Sequence, residues 1–123
     1  MKYLILIYSN PRSRELWEGF SDADKSAGLA EYAALTEELT ASGELVFGAP
    51  LADPSQAKRI APGEGGPLVT DGPFAETKEQ LAGFVLLECE SLERAHEIAA
   101  RVPEAPLDLV EVRPVLDLKA LEP

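Results

Sequence analysis

The chain has 123 residues and a mass of 13.2 kDa, and 46% of its residues are hydrophobic, enough for a core without disulfides or metal. Twenty-two acidic residues against eleven basic ones leave a net charge of -11, a field that repels nucleic-acid backbones and anionic membranes; the basic pair Lys58-Arg59 is too small to reverse it. The single cysteine, Cys89, excludes an internal disulfide, and no stretch reads as a signal peptide or a membrane span. A single domain over 1–123 with a cytoplasmic location is expected.

The first run, MKYLILIY (1–8), is continuously apolar and reads as a strand buried on both faces at the centre of a sheet. SNPRSRELWEGF (9–20) reads as a surface loop broken by Pro11, with one helical turn around Leu16-Trp17. The spacing then predicts a helix over 21–43, capped by Ser21, with Asp22 and Asp24 at its positive end and Gly43 at its close. Leu29, Tyr32, Leu35 and Leu39 form its apolar stripe. Residues 44–51 read as a second strand, and 57–61 and 67–70 as two short strands around a Gly/Pro turn. LAGFVLLECE (81–90) is a further strand, with Phe84, Leu86 and Glu88 on one face and Val85, Leu87 and Cys89 on the other. A second helix spans 91–103, from the cap Ser91 to the stop Pro103, and a strand over 107–115 closes the chain.

This order is that of an α+β protein with two ferredoxin-like split strand-helix-strand units and an inserted hairpin. Helices would cover one sheet face. The other face is apolar as well, so a homodimer is expected to cover it.

Four stretches carry a family resemblance: MKYLILIY, ASGELVFGAPL, LVTDGPFAETKEQLAGF and LERAHEIAARVP followed by VEVRPV. Together they resemble the YCII-related proteins, and more closely their DGPF branch. The resemblance implies a dimeric α+β barrel and a bacterial cytoplasmic protein. Genes of the DGPF branch often lie beside those of extracytoplasmic-function sigma factors, so a sigma-factor partner is implied. Some YCII-related members act on small molecules as dehydrochlorinases, and related barrels include isomerases. The family's His–Asp pair is not carried over, because Tyr32 stands at the position of its His. Tyrosine is a far weaker base, with an ordinary pKa of about 10 against about 6.5 for imidazole. Asp53 falls where the paired Asp would lie.

The stretch 69–84 holds most of the candidate chemistry. Asp71-Gly72-Pro73-Phe74 has the residues of a tight turn, with Asp71 able to brace backbone amides. A carboxylate in a partly apolar pocket can serve as an acid or base, which makes Asp71 and Glu79 catalytic candidates, with Tyr32 as a donor to a developing oxyanion. Tyr8, Phe74, Glu76 and Lys78 are the ligand-contact candidates; Lys78 could hold an anionic group. Structural readings stand beside each: a solvated charged loop, a turn with Phe74 as a plug, and core tyrosines. His96 lacks an evident partner, and Cys89 reads as a buried, inert thiol. No cofactor motif and no metal-ligand spacing is present in the sequence. Two functions follow: a small-molecule-binding or regulatory domain, and a cofactor-free isomerase, lyase or dehydrochlorinase.

Overall fold

The computed structural model describes residues 1–72 and 78–123. Its elements are β1 (Lys2–Ser9), α1 (Pro11–Glu18), α2 (Asp22–Ser42), β2 (Leu45–Pro50), β3 (Lys58–Gly63), β4 (Gly66–Asp71), β5 (Gln80–Glu88), α3 (Leu92–Ala99) and β6 (Val110–Pro114). Single 3-10 turns lie at Pro54–Gln56, Ala105–Leu107 and Leu118–Leu121. Four strands form an antiparallel sheet in the order β2-β5-β1-β6, while β3 and β4 pair only with each other. This is the ferredoxin-like plan, with the β3–β4 hairpin inserted between its second and third sheet strands.

Alternation along the strands divides the apolar residues between two faces. Tyr3, Ile5 and Ile7 of β1 join Leu87 and Cys89 beneath the helices, where they meet Leu35 and Leu39 of α2 and Ala95 and Ile98 of α3. Ile5, Leu87 and Ile98 are completely buried. The opposite face carries Leu4, Leu6 and Tyr8, with Phe84 and Leu86 in register beside them. There the Phe84 ring lies 5.9 Å from that of Phe47 on β2. Among the described residues, the helices that pack on the sheet, α2 and α3, lie on the first face, not this one.

The helix caps follow the chemistry of their sequences. Ser21 accepts from the Asp24 N–H, Ser91 accepts from the Arg94 N–H, and Gly43 closes α2 at φ 81. The Arg94 guanidinium then clasps the Glu44 carboxylate through two 2.8 Å bonds, tying α3 to the entry of β2.

Three expectations change. Residues 11–18 form a helix rather than a loop, because Asn10 and Ser13 complete a reciprocal capping box and Pro11 occupies the first helical turn, where its missing N–H costs nothing. Leu29 is exposed, not buried. A 21-residue helix runs roughly 30 Å, and its first half meets α1 instead of the sheet: Trp17 lies against Gly28, with Lys25 over its ring. The last strand begins at Val110, since Leu107 ends a 3-10 turn that Asp108 closes at φ 61.

Candidate functional site

The β3–β4 hairpin fixes the start of the DGPF stretch. Its register sets Lys58 opposite Asp71, and the Lys58 ammonium donates to the Asp71 carboxylate at 2.6 Å. The Asp71 side chain is 90% exposed, so this bond braces the hairpin mouth from solvent. The next residue, Gly72, donates its N–H to the Ala57 carbonyl at 2.9 Å. A Cβ on Gly72 would stand 3.2 Å from both that carbonyl oxygen and Cγ of Arg59, which is why the smallest residue fits. Phe74 and Glu76 lie outside the described residues. Lys78 and Glu79 are exposed and run directly into β5 at Gln80.

These contacts frame a cleft of about 350 Å³ lined by Leu51, Ala52, Asp53, Pro54, Gln56, Ala57, Gln80 and Leu81. Leu51 is anchored by its N–H to the Ala82 carbonyl at 2.8 Å, which brings the end of β2 against the start of β5. Asp53 accepts from the Ser55 N–H at 3.0 Å and caps the Pro54–Gln56 turn. Bonds from Ser55 hold its carboxyl below the usual carboxylate range, with a smaller contribution from the charge of Arg14. The residues around the cleft thus combine the carboxylate residue Asp53 and the amide residues Gln56 and Gln80 with the apolar Leu51, Pro54 and Leu81. That combination suits a small, partly apolar molecule with hydroxyl groups. A second, shallower depression of about 440 Å³ lies along α1 between Arg12, Glu15, Leu16, Gly19 and Phe20.

Tyr32 lies elsewhere. It packs at the margin of the helix-covered core, and its hydroxyl donates to the carboxylate of Glu104, which follows α3. Burial, and then the bond to Glu104, push the Tyr32 phenol well above its ordinary value. Burial also raises Glu104, against the opposing pull of the Tyr32 hydrogen bond. Tyr32 is therefore a fixed, protonated donor. Tyr8 occupies the uncovered sheet face, where its hydroxyl donates to Glu111 of β6 at 3.1 Å. Burial is the first cause of the upward shift of its phenol.

The structure brings the two ends of the DGPF stretch to one cleft: Gly72 bonds the lining residue Ala57, and Glu79 precedes the lining residue Gln80. Tyr32 is held by Glu104 and is not among the lining residues, whereas Tyr8, held by Glu111, stands in register opposite the lining residue Leu81. Sequence reasoning missed Gln56, Gln80 and Glu104. The two glutamines carry no local signal, and Glu104 is 72 residues from Tyr32 in the chain. Cys89 is buried, with its thiol donating to the Ser91 carbonyl, and His96 is exposed. Among the described residues no group of three His, Cys, Asp or Glu side chains is placed to hold a metal ion, and no helix is long and apolar enough to cross a membrane.

Fold and cleft together define an α+β protein of ferredoxin-like plan, with a hairpin inserted beside a small-molecule-sized depression. The chain belongs to the YCII-related domain family, which it matches over residues 1–119. An uncharacterized protein of Rhizobium meliloti (strain 1021) is 32% identical over 117 residues, covering 94% of this chain and 92% of that protein. Among solved structures, the chain is similar in fold to 5-chloro-2-hydroxyhydroquinone dehydrochlorinase (TftG) from Burkholderia phenoliruptrix AC1100, in complex with 2,5-dihydroxybenzoquinone. That likeness has a TM-score of 0.51, covers 98% of both chains and comes with 18% sequence identity.

Proposed function

We propose that this chain is a cytoplasmic, single-domain, homodimeric small-molecule-binding protein, of the DGPF branch, whose ligand occupies the cleft at the root of the β3–β4 hairpin. One observation carries the reading: a depression of about 350 Å³ is lined by Asp53, Gln56 and Gln80 together with the apolar Leu51 and Leu81. Lys78 and Glu79 immediately precede the lining residue Gln80, and ligand-contact roles for Phe74 and Glu76 remain part of the same reading. The uncovered sheet face, where Phe47 is 59% exposed, supports the dimer. A thermal-shift screen against small hydroxylated aromatics and related metabolites tests the reading. Hits are expected to lose their shift in Asp53→Asn and Gln80→Ala; hits indifferent to both changes would place the ligand elsewhere.

The second reading is a cofactor-free enzyme, and the likeness to a dehydrochlorinase bound to a dihydroxybenzoquinone favours it. Asp71 and Glu79 would supply acid and base from the rim. Tyr32 would contribute as a donor only once its bond to Glu104 is released, and Tyr8 would act from the sheet face. Chloride release from chlorinated hydroquinones, abolished by Asp71→Asn or Glu79→Gln, would establish it over simple binding. A regulatory version, in which the dimer associates with a sigma factor, predicts capture of that factor by the full chain.

A further inference from the structure

Every residue of β4 is exposed, and the hairpin it forms with β3 stands clear of the four-stranded sheet. A lone two-stranded hairpin is marginally stable in water. This one nevertheless presents Ile60, 71% exposed, directly opposite Val69, also largely exposed, with Leu68 on its other face. A second apolar segment follows β6, where Leu116, Leu118 and Leu121 are all more than half exposed. The whole chain exposes 8874 Å², whereas a compact folded monomer of this mass exposes roughly 6,400 Å². The excess, roughly 2,500 Å², matches the upper end of what one partner contributes to a stable homodimer, in which about 2,000–5,000 Å² is buried in total and half of that on each copy.

Topology places the two segments at opposite corners. β1 and β2 are each antiparallel to β5, so they run the same way. The hairpin therefore leaves the β2 edge at the end of the sheet where β1 finishes. β6 runs against β1, and the Val115 N–H bonds the Lys2 carbonyl, so the final segment leaves the β6 edge at the other end. A two-fold axis lying along the remaining diagonal of the sheet sets each hairpin over the partner's final segment. Charge permits it: the chain carries -11, but in the hairpin Lys58 and Arg59 balance Glu64 and Asp71. In the final segment Lys119 offsets one of Asp117 and Glu122. Two like-charged copies meet with least repulsion through such regions.

We propose that the β3–β4 hairpin of one copy closes over residues 115–121 of a second copy, and reciprocally, so that Ile60 and Val69 pack on Leu116, Leu118 and Leu121 across the dimer. This rests on the homodimer proposed above and says how it is held. It also connects the dimer to the cleft. Gln56 and Ala57 of the cleft wall lead straight into β3, so seating the hairpin on a partner fixes that wall.

Cross-linking of the full chain tests the contact. Ile60→Cys and Leu118→Cys chains are purified separately, mixed, re-equilibrated and oxidised; the native Cys89 is buried. The mixture is expected to yield a covalent heterodimer that neither variant gives alone. A dimer by light scattering with no mixed cross-link, or with a link between two Ile60→Cys chains, overturns the hairpin contact while leaving the dimer intact. A monomer of 13.2 kDa at every concentration overturns the dimer and the contact together. Independently, changing Leu116, Leu118 and Leu121 to serine, three exposed sites outside the core, is expected to weaken dimerisation at least tenfold; an unchanged dissociation constant overturns the proposal.

Discussion

The helix-covered core and the β3–β4 hairpin are built from the same kinds of residue, yet they fare oppositely. Ile5 and Ile98 are fully buried; Ile60 is 71% exposed. In β1 Tyr3, Ile5 and Ile7 pack beneath the helices, while every residue of β4 in the hairpin is exposed. Their ion pairs differ in the same way. Arg94 and Glu44 are joined by two bonds, with the carboxylate side chain only 16% exposed; Lys58 and Asp71 meet in open solvent. Apolar character alone does not decide burial: what lies opposite does.

Truncating the core should show the largest effect. Ile98→Ala is expected to cost about 2–5 kcal/mol in urea unfolding, equally at low and high protein concentration. Tyr32→Phe leaves a half-buried Glu104 carboxylate without its donor and should cost about 1–3 kcal/mol, read in the same assay. Acid should then separate the two ion pairs. Pairing with Arg94 holds the Glu44 carboxyl down to about 2, so its contribution is present above the ordinary carboxylate value and is lost as pH falls through the acid range toward about 2. Glu44→Gln should flatten that part of a thermal-melt profile, whereas Lys58→Ala, breaking an exposed pair, should change stability by less than about 1 kcal/mol. Glu104 has the opposite sign: its carboxyl is raised, so its contribution is present at low pH and lost as pH rises through the raised value, and Glu104→Gln should remove that slope. Ile60→Ala should have the smallest effect on the isolated chain and should weaken melting chiefly where protein concentration favours assembly. A concentration-independent loss as large as that of Ile98→Ala would erase the contrast between the regions.

Most of the fold was legible. The continuous apolar run MKYLILIY, the alternation in LAGFVLLECE, the caps Ser21 and Ser91 and the stop at Gly43 each depend on neighbours within a few residues, and the strands, caps and stop they mark are present in the structure. Pro11 was misleading because a proline that breaks a helix interior can open a helix. Leu29 was misread because periodicity identifies a face without saying how far along it the sheet extends. The site was less legible. Tyr32 and Asp71 stand out by residue type, but their partners Glu104 and Lys58 are set by tertiary approach and by hairpin register. The cleft amides Gln56 and Gln80 become visible only when the ends of β2 and β5 come together.

Prolines sit at the boundaries of this architecture. Both outer strands of the sheet finish in one, Pro50 and Pro114, and the hairpin sets Pro62 against Pro67. A proline gives no N–H to a neighbouring strand, so an arriving chain finds the hydrogen-bond ladder interrupted at each of these positions. A small acidic protein with this much apolar surface would otherwise be a template for open-ended strand addition. At the ends of the edge strands, Pro50 and Pro114 disfavour the addition of a further strand.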